Sequence, residues 1–389
     1  MRLLIIVDVF LPFNTSAALQ IRDLARALSC QGHNCVVITP DSTLNQGFRL
    51  EQHVDYRVLR IRSAPLKNVR WMRRAINEIL LSWHMWRKYK TSPIRQEPVD
   101  GIIFYSPSIF FGAFVSMLKR IHGCHAYLIL RDIFPEWPVQ LGLMRRGLVY
   151  CFFKQFELYQ YRVADVIGVE SPSNLTYFQG THEDVEVLNN WIELKNTPIS
   201  CSKQDSGIVT IVYAGTMGVA QDMDNVLRLA QRLRARTDIR FLLIGSGSEK
   251  HRIKDLVAHE QIVSVVIRDE IDAGDLHSLL RNCDIGLITL NKRLLTHNIP
   301  GKLMTYLEAG LPVLASINPG NDLKHLVENA GAGIVVWNGD DAAFEASARL
   351  MASDKALRRR MQIQARLLCE ERFSAEGVAY QLSARLKRT

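Results

Sequence analysis

No C-x-x-C pair occurs among the seven cysteines of this chain, Cys30, Cys35, Cys124, Cys151, Cys201, Cys283 and Cys369. Their spacing offers neither a disulfide framework nor a thiolate metal site, so reduced and mostly buried thiols are expected. The run HGCH, His122 to His125, has no second ligand cluster and reads as an ordinary loop; no metal site is expected. Long hydrophobic runs are scarce as well. LLIIV ends at Asp8 after five apolar residues, which suits a buried strand better than an export signal. GIIFYSPSIFFGAFVSML (101–118) is uncharged enough to cross a bilayer. Ser106, Pro107 and Ser108 split it into a strand and the start of a helix, so no membrane span is expected there.

What is present is globular in composition, 48% apolar and 22% charged over 389 residues, a length that favours two domains. The net charge of +9 is localised. Residues 49–95 hold twelve Lys and Arg against three acids, and the rest of the chain is neutral. A concentrated basic segment implies an anionic partner at one surface. Within it NVRWMRRAINEILLSWHMWRKYK (68–90) carries Val69, Met72, Ile76, Ile79, Leu80, Trp83 and Trp86 at helical spacing. Arg70, Arg73 and Arg74 flank that stripe, while Trp71 and Met85 fall off it. Basic residues and tryptophan beside an apolar face suit an anionic membrane surface. A helix packed on its own domain explains the stripe equally, but not the extra tryptophan. No nucleic-acid module is evident, so nucleic acid is not an expected partner.

The first half opens as a β-α-β unit: LLIIVDVF, a helix near LQIRDLARALSCQG, then NCVVITP. Apolar strands follow at VDGIIFY, HAYLILRD and VADVIGVE. The second half restarts the pattern with TIVYAG, the helix DMDNVLRLAQRLRA and the strand IRFLLIGSG, then VSVVIR, CDIGLITL, PVLAS and GIVVW. The fold class is therefore α/β, with two doubly wound Rossmann-like domains facing across a cleft. An N-terminal domain of residues 1–192, a polar linker at 193–207, a C-terminal domain of 208–370 and a terminal helix at 371–389, crossing back to the first domain, are expected.

In such folds ligands sit beyond the carboxyl ends of strands, so polar residues directly after strands are the candidates. Asn14, Thr15 and Ser16 follow the first strand, and Arg268 ends VSVVIR. AGTMG and IGSGSEK place Gly215, Thr216, Gly218, Gly245 and Gly247 at two strand-to-helix turns. Glycines there can bring amides to a phosphate or simply make tight turns. RDIFPEWP clusters Arg131, Asp132 and Glu136 after a strand, either as site residues or as a surface pair. SPSN (171–174) reads as a helix N-cap. NIPGKLMTYLEAGLPVLAS (298–316) reads as a short helix opened by Pro300 and Gly301 and closed by Gly310. Its charges are reversed with respect to the helix dipole: Lys302 stands in the first turn and Glu308 in the last.

Taken together, LLIIVDVFLPFNTSAALQIRDLARALSCQGHNCVVIT, LILRDIFPEWPVQLGLM, VEVLNNWIE, IVYAGTMGVAQDMDNVL, FLLIGSGSEK and PGKLMTYLEAGLPVLAS resemble, in that order, a GT-B-fold family 4 glycosyltransferase. The resemblance is to the type that builds bacterial O-antigen, capsule or colanic acid, in a branch similar to N-acetyl-fucosamine transferases. It implies a retaining, metal-independent hexosyltransferase with no cofactor, whose UDP-sugar donor sits on the C-terminal domain and acceptor on the N-terminal one. The donor sugar implied is N-acetyl-L-fucosamine or a related N-acetylated hexose. The acceptor implied is a polyprenyl-diphosphate-linked saccharide at the cytoplasmic face of the bacterial inner membrane, with the protein peripheral through 68–90. Carried over by position, Glu308 holds the ribose, and Gly301, Lys302 and Leu303 lie beside the diphosphate. Helical rise and side-chain lean would bring Glu308 within a few ångströms of a group at the helix start. Lys302 would stabilise the leaving group, and Asp132 would orient or deprotonate the acceptor. Four positions depart from the pattern. Pro300 stands where a sugar-reading glutamate is usual, Thr216 and Gln221 where Arg and Lys are, and Arg131 where a histidine is. A UDP-sugar 2-epimerase of the same fold and a nucleic-acid-binding protein are the rival readings.

Overall fold

The computed structural model describes residues 1–13, 15–66, 71–194 and 207–387. Asn14, residues 68–70 and most of the linker segment 193–207 lie outside the described residues. The chain forms two compact units, Met1–Glu193 with Ala375–Thr389, and Leu194–Ser374.

In the first unit, strands β1 (Arg2–Ile6), β2 (Asn34–Asp41), β3 (Phe48–Gln52), β4 (Arg57–Arg62), β5 (Gly101–Tyr105), β6 (His125–Leu130), β7 (Val166–Val169) and β8 (Val185–Val187) form one sheet. Their order is β3-β4-β2-β1-β5-β6-β7-β8, parallel except for β3, which runs antiparallel to β4. The β3–β4 hairpin is an addition to the strands read from sequence. Helices α1 (Ser16–Cys30), α2 (Trp71–Tyr89), α3 (Gly112–His122), α4 (Glu136–Gln140), α5 (Leu148–Val163) and α6 (Pro172–Leu175) connect these strands. The central strands are buried on both faces, as near-continuous Val, Ile and Leu runs require. Leu81, Met85 and Tyr89 of α2, Phe114 and Leu118 of α3, and Tyr161 of α5 share one core cluster. Helix α1 covers the other face. The segment 101–118 divides at Ser106–Ser108 into β5 and the start of α3, and no described helix is long and apolar enough to cross a membrane. HGCH is the turn between α3 and β6: Gly123 takes a left-handed conformation, φ 62°, that favours glycine, and His122 bonds Tyr89 at 2.8 Å.

The second unit carries β9 (Val209–Ala214), β10 (Ile239–Ile244), β11 (Val265–Arg268), β12 (Ile285–Thr289), β13 (Val313–Ile317) and β14 (Gly333–Trp337). All six are parallel, in the order β11-β10-β9-β12-β13-β14. The helices are α7 (Met223–Arg232), α8 (Lys250–His259), α9 (Ala273–Leu280), α10 (Lys302–Glu308), α11 (Leu323–Asn329), α12 (Asp341–Ser353) and α13 (Lys355–Arg372). A last helix, α14 (Ala375–Lys387), belongs to the first unit, where Val378, Ala379 and Leu382 join the core cluster of α1. Strand order reverses at β9/β12 in this unit and at β1/β5 in the other, and those reversals are where doubly wound sheets open a crevice for a ligand.

The basic surplus of 49–95 does not form one face. Arg57 makes a bidentate pair with Glu97 at 2.9 and 2.7 Å. Arg60 is buried, with its Nε 2.8 Å from Glu51 and Nη2 donating to the Leu11 carbonyl. These two arginines staple β4 to its surroundings and leave the outward charge to the remainder.

Candidate active site

At the β9/β12 reversal of the second unit, two glycine turns lie against each other. Gly215 follows β9 and Gly245 follows β10, at φ 136° and 149°. A Cβ on Gly245 would fall 1.9 Å from the Gly215 carbonyl oxygen, and one on Gly247 would fall 2.3 Å from that of Met217. Backbone contact at that distance requires glycine for packing alone. The amides follow the same logic. Gly215 N donates to Ile244 O at 2.9 Å, Met217 N to Ser246 O at 2.7 Å and Gly245 N to Arg268 O at 3.3 Å. Gly218 N donates to Gln221 Oε1 at 3.1 Å. Of the two readings left open for Gly215, Gly218 and Gly245, these bonds support the tight turn, because the amides already have partners within the turns. Gly215, Thr216 and Gly247 remain solvent-exposed at the strand ends. Arg268 is exposed at the end of the edge strand β11.

Helix α10 begins after Gly301 and ends in a Schellman arrangement. Gly310 sits at φ 72°, its N–H donates to Leu307 O at 3.0 Å, and Leu311 N donates to Tyr306 O at 2.8 Å. Leu303, Met304 and Leu307 are buried, and Leu303 N bonds Pro300 O at 2.9 Å. Leu303 thus stands at the start of α10 as expected by position, with its side chain in the core and its amide bonded to Pro300. Tyr306 fixes the helix to the sheet: its hydroxyl accepts from Ala214 N at 2.7 Å and donates to Leu287 O at 3.3 Å. One turn earlier on the same face, Lys302 places Nζ 3.7 Å from the centre of the Tyr213 ring. Its Cε would lie 3.3 Å from a Cβ at Gly215. No carboxylate pairs with this ammonium among the described residues, and burial pulls its pKa down to about 7.

Glu308 takes a different place from the one expected. Its carboxylate is buried, with Oε2 2.8 Å from His277 Nδ1 of α9 and Oε1 3.3 Å from Arg366 Nη1 of α13. Arg366 also donates to the Glu308 carbonyl at 2.7 Å. The carboxylate thus has both oxygens engaged between helices, about one turn and a half along α10 from Lys302. Thr305, half-buried, is one turn from Lys302.

In the first unit the residues after β6 are also held. Arg131 is buried, donates to Leu188 O at 2.9 Å and Asn189 O at 3.2 Å, and stacks 4.9 Å from the Trp191 ring. In this structure it clamps β6 to the segment after β8. Glu136 is held likewise. It accepts from Tyr150 at 2.6 Å, Lys154 at 2.9 Å and Arg146 at 3.2 Å. Burial alone would raise its pKa, but these bonds and the charges of Lys154 and Arg146 hold it below the usual carboxylate value. Asp132 is half-buried at the end of β6. Thr15 caps α1, accepting from Ala18 N at 3.3 Å, and exposed Ser16 is the first helical residue.

Sequence reasoning missed the asparagines that hold the approach to Lys302. Asn318 Nδ2 donates to Leu294 O at 3.1 Å and Thr296 O at 3.3 Å, and Asn321 Nδ2 to Asn298 O at 3.2 Å. Asn318 follows β13 directly and Asn321 lies three residues further along the same loop, beyond a strand end where ligand-facing polar residues gather.

Residues 202–368 match the profile of the family described as Glycosyl transferases group 1. The chain is 21% identical over 234 residues to "Probable glycosyltransferase WbjE" of Pseudomonas aeruginosa, covering 57% of this chain and 58% of that protein. It is 22% identical over 255 residues to WcaI of Escherichia coli strain K12, whose assignment to colanic acid biosynthesis is itself provisional, covering 59% and 60%. The matches thus span under two thirds of either relative. Among solved structures, the alpha,alpha-trehalose-phosphate synthase (UDP-forming) of Burkholderia xenovorans superposes with a TM-score of 0.75 at 11% identity, over 100% of both chains. That likeness establishes the fold, two parallel-sheet domains of the GT-B kind. Within the second unit, residues 202–368 are accordingly similar to the family described as Glycosyl transferases group 1.

Proposed function

We propose that the chain transfers a sugar, with retention, from a UDP-sugar to a polyprenyl-diphosphate-linked saccharide in surface polysaccharide synthesis. The observation that carries this reading is Lys302: a cation without a carboxylate partner among the described residues, set beside Gly215 at the strand reversal of the group 1 domain. A diphosphate bound there would supply the missing countercharge. As the glycosidic bond to the phosphate breaks, negative charge grows on the leaving oxygen, and a preorganised ammonium in a poorly solvated site stabilises it. The donor nucleotide rests on the second unit. In the first unit Asp132, at the end of β6, orients the acceptor hydroxyl. The exposed Ile76, Leu80 and Trp83 of α2 support an acceptor delivered from a lipid surface.

Titration calorimetry of the full chain with UDP, ADP and GDP tests the donor assignment. UDP is expected to bind with the tightest affinity of the three, and absence of any nucleotide binding would overturn the assignment. Incubation with UDP-sugar alone should leave the sugar unchanged; its conversion without acceptor would identify an epimerase instead.

A further inference from the structure

Two segments of the first unit turn apolar side chains to solvent on the layer formed by α2, α3 and α5. On α2 the exposed side chains among those described are Arg73, Ile76, Leu80, Trp83 and Arg87, spaced as one helical stripe. Ile76 is 55% and Trp83 48% exposed, while Leu81, Met85 and Tyr89 already fill the core from the opposite face. The core therefore does not account for the outer stripe. Arg87 lies 4.7 Å over the Trp83 ring, which leaves the cation at the rim of the apolar surface.

The second segment is the start of α5 and the turn before it. Leu148 is 91%, Val149 57% and Phe152 44% exposed, and Leu143 is exposed in the preceding turn beside exposed Arg145 and Arg146. Phe110, in the loop after β5, joins the two segments. Its carbonyl accepts from Ser82 of α2, and its ring lies 6.3 and 5.0 Å from Phe153 and Phe156 of α5. Neither segment presents an exposed carboxylate among its described residues: 142–156 contains none, and Glu78 of α2 is half-buried.

We propose that the first unit docks on an anionic membrane through both segments at once, the outer stripe of α2 and the exposed residues 143–152. Exposed apolar side chains on both elements, accompanied by arginine and free of exposed acid, match the interface of a bilayer with negative headgroups. A second copy of this chain would bring the same arginine-rimmed surface against itself, so charge disfavours self-association. The α5 anchor is tied to the acceptor loop. Arg146 and Tyr150 both donate to Glu136, four residues after Asp132, at 3.2 and 2.6 Å. Seating 143–152 in headgroups therefore fixes the loop that presents Asp132. The membrane partner rests on the proposed function; the second segment and its tie to Glu136 rest on this geometry.

Sedimentation of the full chain with phosphatidylcholine vesicles, with and without 30% phosphatidylglycerol (a fraction chosen on the order of cellular anionic content), tests this. Wild type is expected to bind the anionic vesicles and to bind the neutral ones weakly. Leu148→Glu/Phe152→Glu and Ile76→Glu/Trp83→Glu should each weaken binding roughly tenfold or more, given the lost apolar contact and added repulsion. The milder Arg145→Glu, which leaves the apolar residues in place, should weaken it in the same direction. UDP affinity, measured on the same samples, should stay at the wild-type value and reports that the second unit is intact. Unchanged vesicle binding by both Leu148→Glu/Phe152→Glu and Arg145→Glu would overturn the α5 anchor. A wild-type dimer that these substitutions dissociate, with no vesicle binding, would overturn the membrane as occupant. Vesicle binding without UDP binding would instead retain the docking surface and refute the transferase reading.

Discussion

Lys302 Nζ stands 3.7 Å above the centre of the Tyr213 ring, and the two residues come from opposite sides of the strand reversal in the second unit. The contact gives the ammonium an aromatic face in place of a carboxylate. Cation–π attraction offsets only part of its lost hydration, and the pKa near 7 records the remainder. On the function proposed above, that state leaves the ammonium available to an anion arriving with the substrate.

Replacing Lys302 by Met keeps much of the stem and removes the charge. A charge-assisted hydrogen bond contributes about 1.5–3 kcal/mol, so UDP affinity at pH 7 should fall roughly 10- to 100-fold. Uridine, which lacks the phosphates, should bind both proteins alike. Calorimetric titration of both ligands distinguishes loss of an anion contact from general damage; equal UDP affinities would refute the assignment.

The same lysine makes stability depend on pH in a definite direction. Its pKa is near 7 folded, against about 10.4 for a free lysine. Between those values the unfolded chain holds a proton that the folded chain lacks. Stability contributed by this site therefore rises with pH from about 7 to about 10.4, and the penalty is full below 7. Lys302→Met should raise the melting temperature of the ligand-free protein at pH 6.5 and lose that advantage toward pH 10. Binding of UDP at pH 8 should take up a proton, seen as a dependence of the measured heat on buffer ionisation. An absent buffer dependence would show that the ammonium is already charged.

The bounds of α10 were legible because they depend on local chemistry, Pro300 and Gly301 at one end and Gly310 at the other. The two parallel sheets were legible from apolar runs alternating with amphipathic helices. The hairpin of β3 and β4 was not, since nearly half of its strand residues are charged and an Arg60–Glu51 pair links the two strands. The role of Glu308 was not legible either. Its partners lie on α9 and α13, and Arg366 is 58 residues away in sequence, so only tertiary packing aims the carboxylate. The reversed dipole charges thus sit in two separate surroundings, the Tyr213 ring face at Lys302 and a buried tie at Glu308. The glycine turns show a similar limit, because a pattern suited to phosphate is also what two stacked backbone loops require.

Glu308→Ala should unfold the second unit more readily without directly weakening nucleotide contacts. Removing the carboxylate leaves Arg366 and His277 facing a gap, and cutting a buried ion pair costs about 3–5 kcal/mol. The melting transition should drop by several degrees, while UDP affinity measured well below that transition stays within about twofold of wild type, under 0.5 kcal/mol. A large loss of UDP affinity with an unchanged melting temperature would return Glu308 to the ligand.

Gly245→Ala tests whether the two turns are locked by contact. At φ 149° a side chain is strained by about 1–3 kcal/mol before any neighbour is considered. The new Cβ would also lie 1.9 Å from a carbonyl oxygen that cannot rotate away. The loops must separate, breaking the Gly215 N to Ile244 O and Met217 N to Ser246 O bonds. Gly274→Ala, in the first turn of α9 with no atom within 4 Å of its Cβ, is the control and should be neutral or slightly stabilising. Thermal denaturation should show Gly245→Ala destabilised by more than the strain alone. A melting temperature equal to that of the control would mean that the turns yield, and that glycine at 245 answers to something other than loop packing.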